Sequence, residues 1–136
     1  MSLISATVYS KTGTAIATAY SAGTTPMNVG RASRVRFTVV YVSHASSTVA
    51  TVTFKLQQRF NDGTTTSAYK DLPSNLDDAS DTREVEHAFT LGSAGTTSTF
   101  TFYLKDPQAT CDITVNGKGN AAGHASDTVV VYAVIV

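Results

Sequence analysis

The residues of this chain best suited to chemistry are three histidines, a run of acids, three arginines and one cysteine. His44 and His124 fall in segments that read as turns, and His87 falls at an inward-facing position of an alternating run. None has a second ligand at a spacing that zinc sites use, so the pattern predicts no metal centre. His87 reads instead as a buried or interfacial imidazole able to titrate. Asp77, Asp78, Asp81, Glu84 and Glu86 offer the hard oxygens that calcium takes, but without an EF-hand glycine or fixed ligand spacing they read as a solvated loop. Arg31, Arg34 and Arg36 form the one local basic cluster and read as a solvated strand edge rather than a phosphate site. Cys111 alternates with Ile113 and Val115 and has no evident activating partner, so it reads as a small core residue. There is no Gly-x-Ser-x-Gly elbow and no phosphate-cradling glycine loop ahead of a helix. No tryptophan is present to form a sugar platform beside a carboxylate pair. The expectation is a protein that is not an enzyme and carries no cofactor.

The elements that must position these residues are strands. Val35, Phe37, Val39 and Tyr41 alternate with Arg36, Thr38 and Val40; Val52, Phe54 and Leu56 alternate with Thr53 and Lys55; Phe100, Phe102 and Leu104 alternate with Thr101 and Tyr103. A period of two sends successive side chains to opposite faces of a strand. Strong strands are predicted over 34–43 and 49–60, which together look like a hairpin, then over 83–91, 97–105, 109–115 and 128–136. Asn61-Asp62-Gly63 is a tight-turn signal, and 64–70 reads as a short returning strand. Residues 71–82 form a long polar loop. The first 30 residues are small and weakly patterned, and read as a hairpin or as an arm that pairs with a sheet. About eight strands at regular spacing predict an all-β, antiparallel sandwich, jelly-roll-like, with a small barrel as the alternative.

A chain of 136 residues fits a single domain, 1–136, within which 1–30 is the possible arm. Charged residues make up only 15% of it, against about 25% in ordinary soluble domains. Thr, Ser, Ala and Val replace them, which suits a surface that lies against other proteins. The net charge is zero, which argues against nucleic acid as a partner and lets copies pack densely. One cysteine permits no internal disulfide. The opening residues lack the pattern of a signal peptide and no apolar run approaches a membrane span, so the expectation is a chain made and folded in a cytoplasm with no membrane partner.

One stretch carries a resemblance. Phe54-Lys55-Leu56-Gln57-Gln58-Arg59-Phe60-Asn61-Asp62-Gly63, followed by Tyr69-Lys70-Asp71-Leu72, resembles a hairpin of small β-sandwich virion proteins of tailed bacteriophages. Tyr69 stands where tryptophan is common in that pattern. The resemblance covers about 19 residues and implies a non-enzymatic part of a particle: a head decoration (cement) protein, or a neck or tail component. It implies major capsid protein or other virion proteins as partners, a trimer or dimer matched to a lattice, and residence in the virion after synthesis in the host cytoplasm. It carries over no catalytic residue.

Partner contacts are expected from residues 1–30 and the loop 71–82, in particular Ile4, Val8, Tyr9, Tyr20, Asp77, Asp78 and Asp81. Two other classes remain open. A carbohydrate- or receptor-binding module would use Tyr69, Tyr103 and the acidic loop as its sugar surface. A neck, tail or coat subunit would assemble with itself.

Overall fold

The structure is a computed structural model and describes residues 4–12, 15–23, 26–28, 34–72, 86–105 and 111–135. Its strands are β1 (Ile4–Lys11), β2 (Ser21–Ala22), β3 (Met27–Asn28), β4 (Arg34–Val42), β5 (Thr51–Phe60), β6 (Lys70–Asp71), β7 (Glu86–Thr90), β8 (Thr97–Lys105), β9 (Cys111–Gly119) and β10 (Thr128–Ile135). All pairings between them are antiparallel. The first sheet runs β1-β10-β4-β8, and the second is built on β9 and β5. There β2 and β3 share the position beside β9, and β6 and β7 share the position beside β5. Each sheet is therefore four positions wide, and the fold is an all-β sandwich of eight lateral positions.

The chain changes sheet from β1 to β2, β3 to β4, β4 to β5, β7 to β8, β8 to β9 and β9 to β10, and stays in the second sheet from β5 to β6 and β7. Two facing sheets threaded in this order make a jelly roll. The expected hairpin of residues 34–43 and 49–60 is corrected by this threading. β4 lies between β10 and β8, while β5 lies in the opposite sheet. The alternation of both strands is satisfied because Phe37 and Phe54 enter one core from opposite sides.

That core is aromatic at its centre. Phe102 stacks on Phe37 at 5.0 Å and lies 6.3 Å from Phe54, which in turn meets Tyr9 edge-on at 5.6 Å. Pairs of this geometry contribute about 1 kcal/mol beyond the area they bury. Gly117 makes the arrangement possible, since a Cβ there would stand 2.7 Å from Cε1 of Phe54 and 3.0 Å from Cζ of Tyr9. Residues 4–11 are a full partner of β10. Their register slips between Thr7 and Tyr9, a bulge that turns two consecutive residues, Val8 and Tyr9, into the core.

Candidate functional site

Three constellations stand out on the sandwich, two polar and one largely apolar, and each follows from the strands beneath it. The first lies at the corner where β4 gives way to β5 and where the chain enters β10. A His-Ala-Ser sequence occurs twice, at His44-Ala45-Ser46 and His124-Ala125-Ser126. Both copies fold into the same turn. In each the histidine carbonyl accepts the N–H three residues on, from Ser47 or Asp127, at 2.9 Å. In each the imidazole Nδ1 accepts the serine N–H, from Ser46 or Ser126, at 3.0 Å. The two rings stack 3.9 Å apart and 7° from parallel.

Asp127 joins the two turns. Its Oδ1 accepts the His44 N–H at 2.6 Å, and its Oδ2 accepts the Tyr41 hydroxyl at 2.8 Å, the Ser47 hydroxyl at 2.6 Å and the His124 N–H at 3.1 Å. Burial works to raise the Asp127 carboxyl, but these donors outweigh it and hold the group below the ordinary carboxylate range. Tyr41 moves the other way, first by burial and then by its bond to a carboxylate, and stays a neutral donor. The residue types of a hydrolase triad are present here, but they are connected differently. The serine hydroxyl donates to the aspartate, and the Nδ1 atoms are occupied by backbone amides. A nucleophile needs its own hydroxyl bonded to the imidazole. The cluster acts as a clamp on three strand ends.

The second constellation covers the outer face of the second sheet. Tyr20 lies across it, with the Lys55 and Lys118 ammonium groups each 4.5 Å from its ring centre and its hydroxyl donating to Glu86 at 2.6 Å. Lys55 pairs with Asp71 at 3.2 Å, and Arg59 with Asp112 at 3.0 Å. Asn61 donates to the same Asp112 oxygen at 2.8 Å. Gln57 bridges Asp71 and Asn116, at 2.8 and 3.0 Å. The Asp71 carboxyl is drawn down, first by the Gln57 amide, against partial burial and with help from Lys55. Burial and the Glu86 acceptor push the Tyr20 hydroxyl up, opposite to what a reactive phenolate requires. Among the described residues the ion pairs on this face are matched, and Asp112, Thr114 and Asn116 at its centre are buried beneath their partners, which makes it a closed polar network.

The third constellation is the outer face of the first sheet, and it is built differently. Val35, Phe37, Val39 and Tyr41 of β4, Phe102 and Leu104 of β8, and Val129, Val131 and Ala133 of β10 point inward and are buried. The outward ones are Arg34, Arg36, Thr38, Val40 and Val42 on β4, Thr97, Thr99, Thr101 and Tyr103 on β8, and Thr128, Val130, Tyr132 and Val134 on β10. In register they form rows such as Thr101–Thr38–Tyr132 and Tyr103–Arg36–Val134. Val42, Tyr103 and Tyr132 are 42%, 44% and 44% exposed. Arg34 lies over the Tyr103 ring at 5.1 Å. No carboxylate occupies any of these positions, in contrast to the second sheet.

The residues expected to meet partners are thereby distributed. Val8 and Tyr9 are 1% and 0% exposed and are filled against the chain's own core, because the bulge turns both inward. Ile4 begins β1 opposite Ile135. Tyr20 is part of the polar network on the second sheet. Asp77, Asp78 and Asp81 lie outside the described residues, as do Glu84 and Arg31, and so does the Cys111 side chain. Tyr69 packs against Arg59, which projects from the outer face of the second sheet, whereas Tyr103 projects from the first. These two tyrosines are on opposite sides of the sandwich and do not build one surface. His87 is half-buried and stacks on Phe102 at 4.7 Å. Among the described residues no group of three or more His, Cys, Asp or Glu is placed to hold a metal ion.

The twin turns were not evident from residue types alone, although the repeated His-Ala-Ser is a signal that an internal comparison of the chain picks up. The apolar face of the first sheet was half visible, since Val40, Val42 and Val130 break the polar side of the alternation. No protein-family model matches the chain, and no curated protein matches it in sequence.

Proposed function

We propose that this chain is a non-enzymatic structural protein of a virus particle, a head decoration protein of a tailed bacteriophage that docks on capsid protein through the outer face of its first sheet. The observation that carries the reading is the contrast between the two outer faces. One is a closed network of ion pairs, and the other presents valine, tyrosine and threonine with two arginines and no carboxylate. A surface depleted of charge at its centre and holding exposed tyrosines and arginine has the composition of a protein interface.

Two further features support the same reading. The jelly roll is an architecture of viral capsid domains as well as of lectins, a link by analogy of fold. The stretch with the phage-like pattern turns back at Asn61-Asp62-Gly63, but its returning strand is Lys70–Asp71 rather than 64–70, of which 64–69 lies in a loop with one bridge from Thr66 to Asn61. β5 ends at Phe60, and the Asn61 and Asp62 side chains accept the N–H groups of Gly63, Thr64 and Thr65 at 2.7–2.9 Å. Gly63 takes a φ of +91°, and β6 returns beside β5.

The test is immuno-electron microscopy of particles that contain the chain, beside particles made with a Val42→Asp, Tyr132→Asp double variant. Label on heads carrying the native chain and its loss with the variant are expected. Label at the tail would move the chain to a neck or tail role. Unlabelled particles together with binding on a glycan array would replace the reading with a carbohydrate-binding one.

A further inference from the structure

We infer that β8 is a pairing edge for a second copy of this chain, joining two sandwiches into a dimer with one continuous eight-stranded sheet. The inference concerns self-association and holds whether or not the chain belongs to a particle.

Among the described residues β8 borders only β4, and the backbone groups of its other edge pair with none of them. The remaining edge strands are blunted. Over the described residues β2, β3 and β6 are two residues long, β7 is five, and β1 is interrupted by its bulge. β8 runs nine residues, Thr97–Lys105, in unbroken register with β4. It has no proline, no bulge and no charge at an inward position, which are the devices that keep natural edges apart. Nine residues extend about 30 Å, enough for a ladder as long as those inside the sheet.

The strand is also complementary to itself. Two copies running antiparallel pair over their full length only when the two-fold axis passes through residue 101. A shift by one residue would set inward side chains against outward ones, and a shift by two would shorten the ladder. In the centred register Thr101 meets Thr101, Thr99 meets Tyr103, and Phe100 meets Phe102. Position 105, the one charged residue of the strand, falls opposite Thr97 rather than opposite its own copy, so no like charges face each other across the new pairing. Arg36, level with Tyr103 on the neighbouring strand, lies well to one side of the axis.

A second observation favours closure along this side. Phe89 of β7 stacks on Phe100 at 4.8 Å, at the flank where β7 and β8 end the two sheets on the same side. Both rings remain half-buried there. An isologous partner brings its own copy of this aromatic seam alongside, as a two-fold interface requires.

Light scattering on a sizing column tests the proposal, with circular dichroism as the check on folding. The native chain is expected as a dimer, and Thr101→Lys as a folded monomer, since the substitution puts two ammonium groups at the axis. An equimolar mixture of Thr101→Lys and Thr101→Glu is expected to recover the dimer. Under oxidation Thr101→Cys should cross-link two chains, while Thr99→Cys, which faces position 103, should not. A native monomer at the highest soluble concentration overturns the proposal. So does an oligomer that survives Thr101→Lys, or equal cross-linking at positions 99 and 101.

Discussion

Asp127 accepts from one tyrosine, one serine and two backbone amides, and no other group of the corner can replace it in that role. Asp127→Asn presents an NH2 group to some of these donors and leaves buried donors without an acceptor. A loss of about 2 kcal/mol is expected, measured by urea unfolding of the native and variant chains. The same residue sets an acid limit. Its carboxyl is lower in the folded chain than in the unfolded one, so its contribution is complete above the unfolded value of about 3.9. That contribution is lost as pH falls through the lower folded value. Stability measured from pH 6 downward should therefore fall off at acid pH, and the fall should be shallower in Asp127→Asn. None of this was legible from Asp127 itself, an aspartate in a glycine-rich segment, because its donors other than His124 come from residues 80 or more positions away. Position 8–9 failed for a related reason: a bulge breaks the period of two, so inward and outward cannot be told by counting.

At the scale of elements, legibility tracks locality. The turn at Asn61-Asp62-Gly63 was readable because its hydrogen bonds span two or three residues and its glycine needs a positive φ. The buried sides of β4, β5 and β8 were readable because periodicity reports which side of a strand is apolar. It does not report which sheet the strand joins. That is why β4 and β5, consecutive and similarly patterned, read as a hairpin while the molecule places them in opposite layers. Gly117 is decisive at this scale, since it is the gap in β9 into which the Phe54 and Tyr9 rings fit. Gly117→Ala should cost about 1–3 kcal/mol by overpacking, seen as a lower urea midpoint with an unchanged slope.

The molecule as a whole has two unlike sides. Composition foreshadowed this, since a charge content of 15% cannot cover both faces of a sandwich with ions. It did not say which face would go without. The structure concentrates the described ion pairs on the second sheet and leaves the first with hydroxyls, valines and tyrosines. Val42→Asp and Tyr132→Asp are exposed changes outside the core and should alter unfolding free energy by no more than about 0.5 kcal/mol each. Their effect should appear in association, as loss of the chain from sedimented particles. The equivalent change on the other face, Lys118→Asp, should leave association intact.

The place of β10 between β1 and β4 has a consequence in time. The first sheet has no contiguous pair that can form early, because β1 waits for residues 128–135 and β4 waits for β8 and β10. A nascent chain emerging in order of synthesis therefore holds β4 without its first neighbour until residue 105 has emerged and without its second until residues 128–135 have. Ladders of this range form over milliseconds to seconds rather than microseconds. Completion of the first sheet then waits for residues 128–135, and truncation within β10 should yield not a smaller sandwich but an insoluble chain.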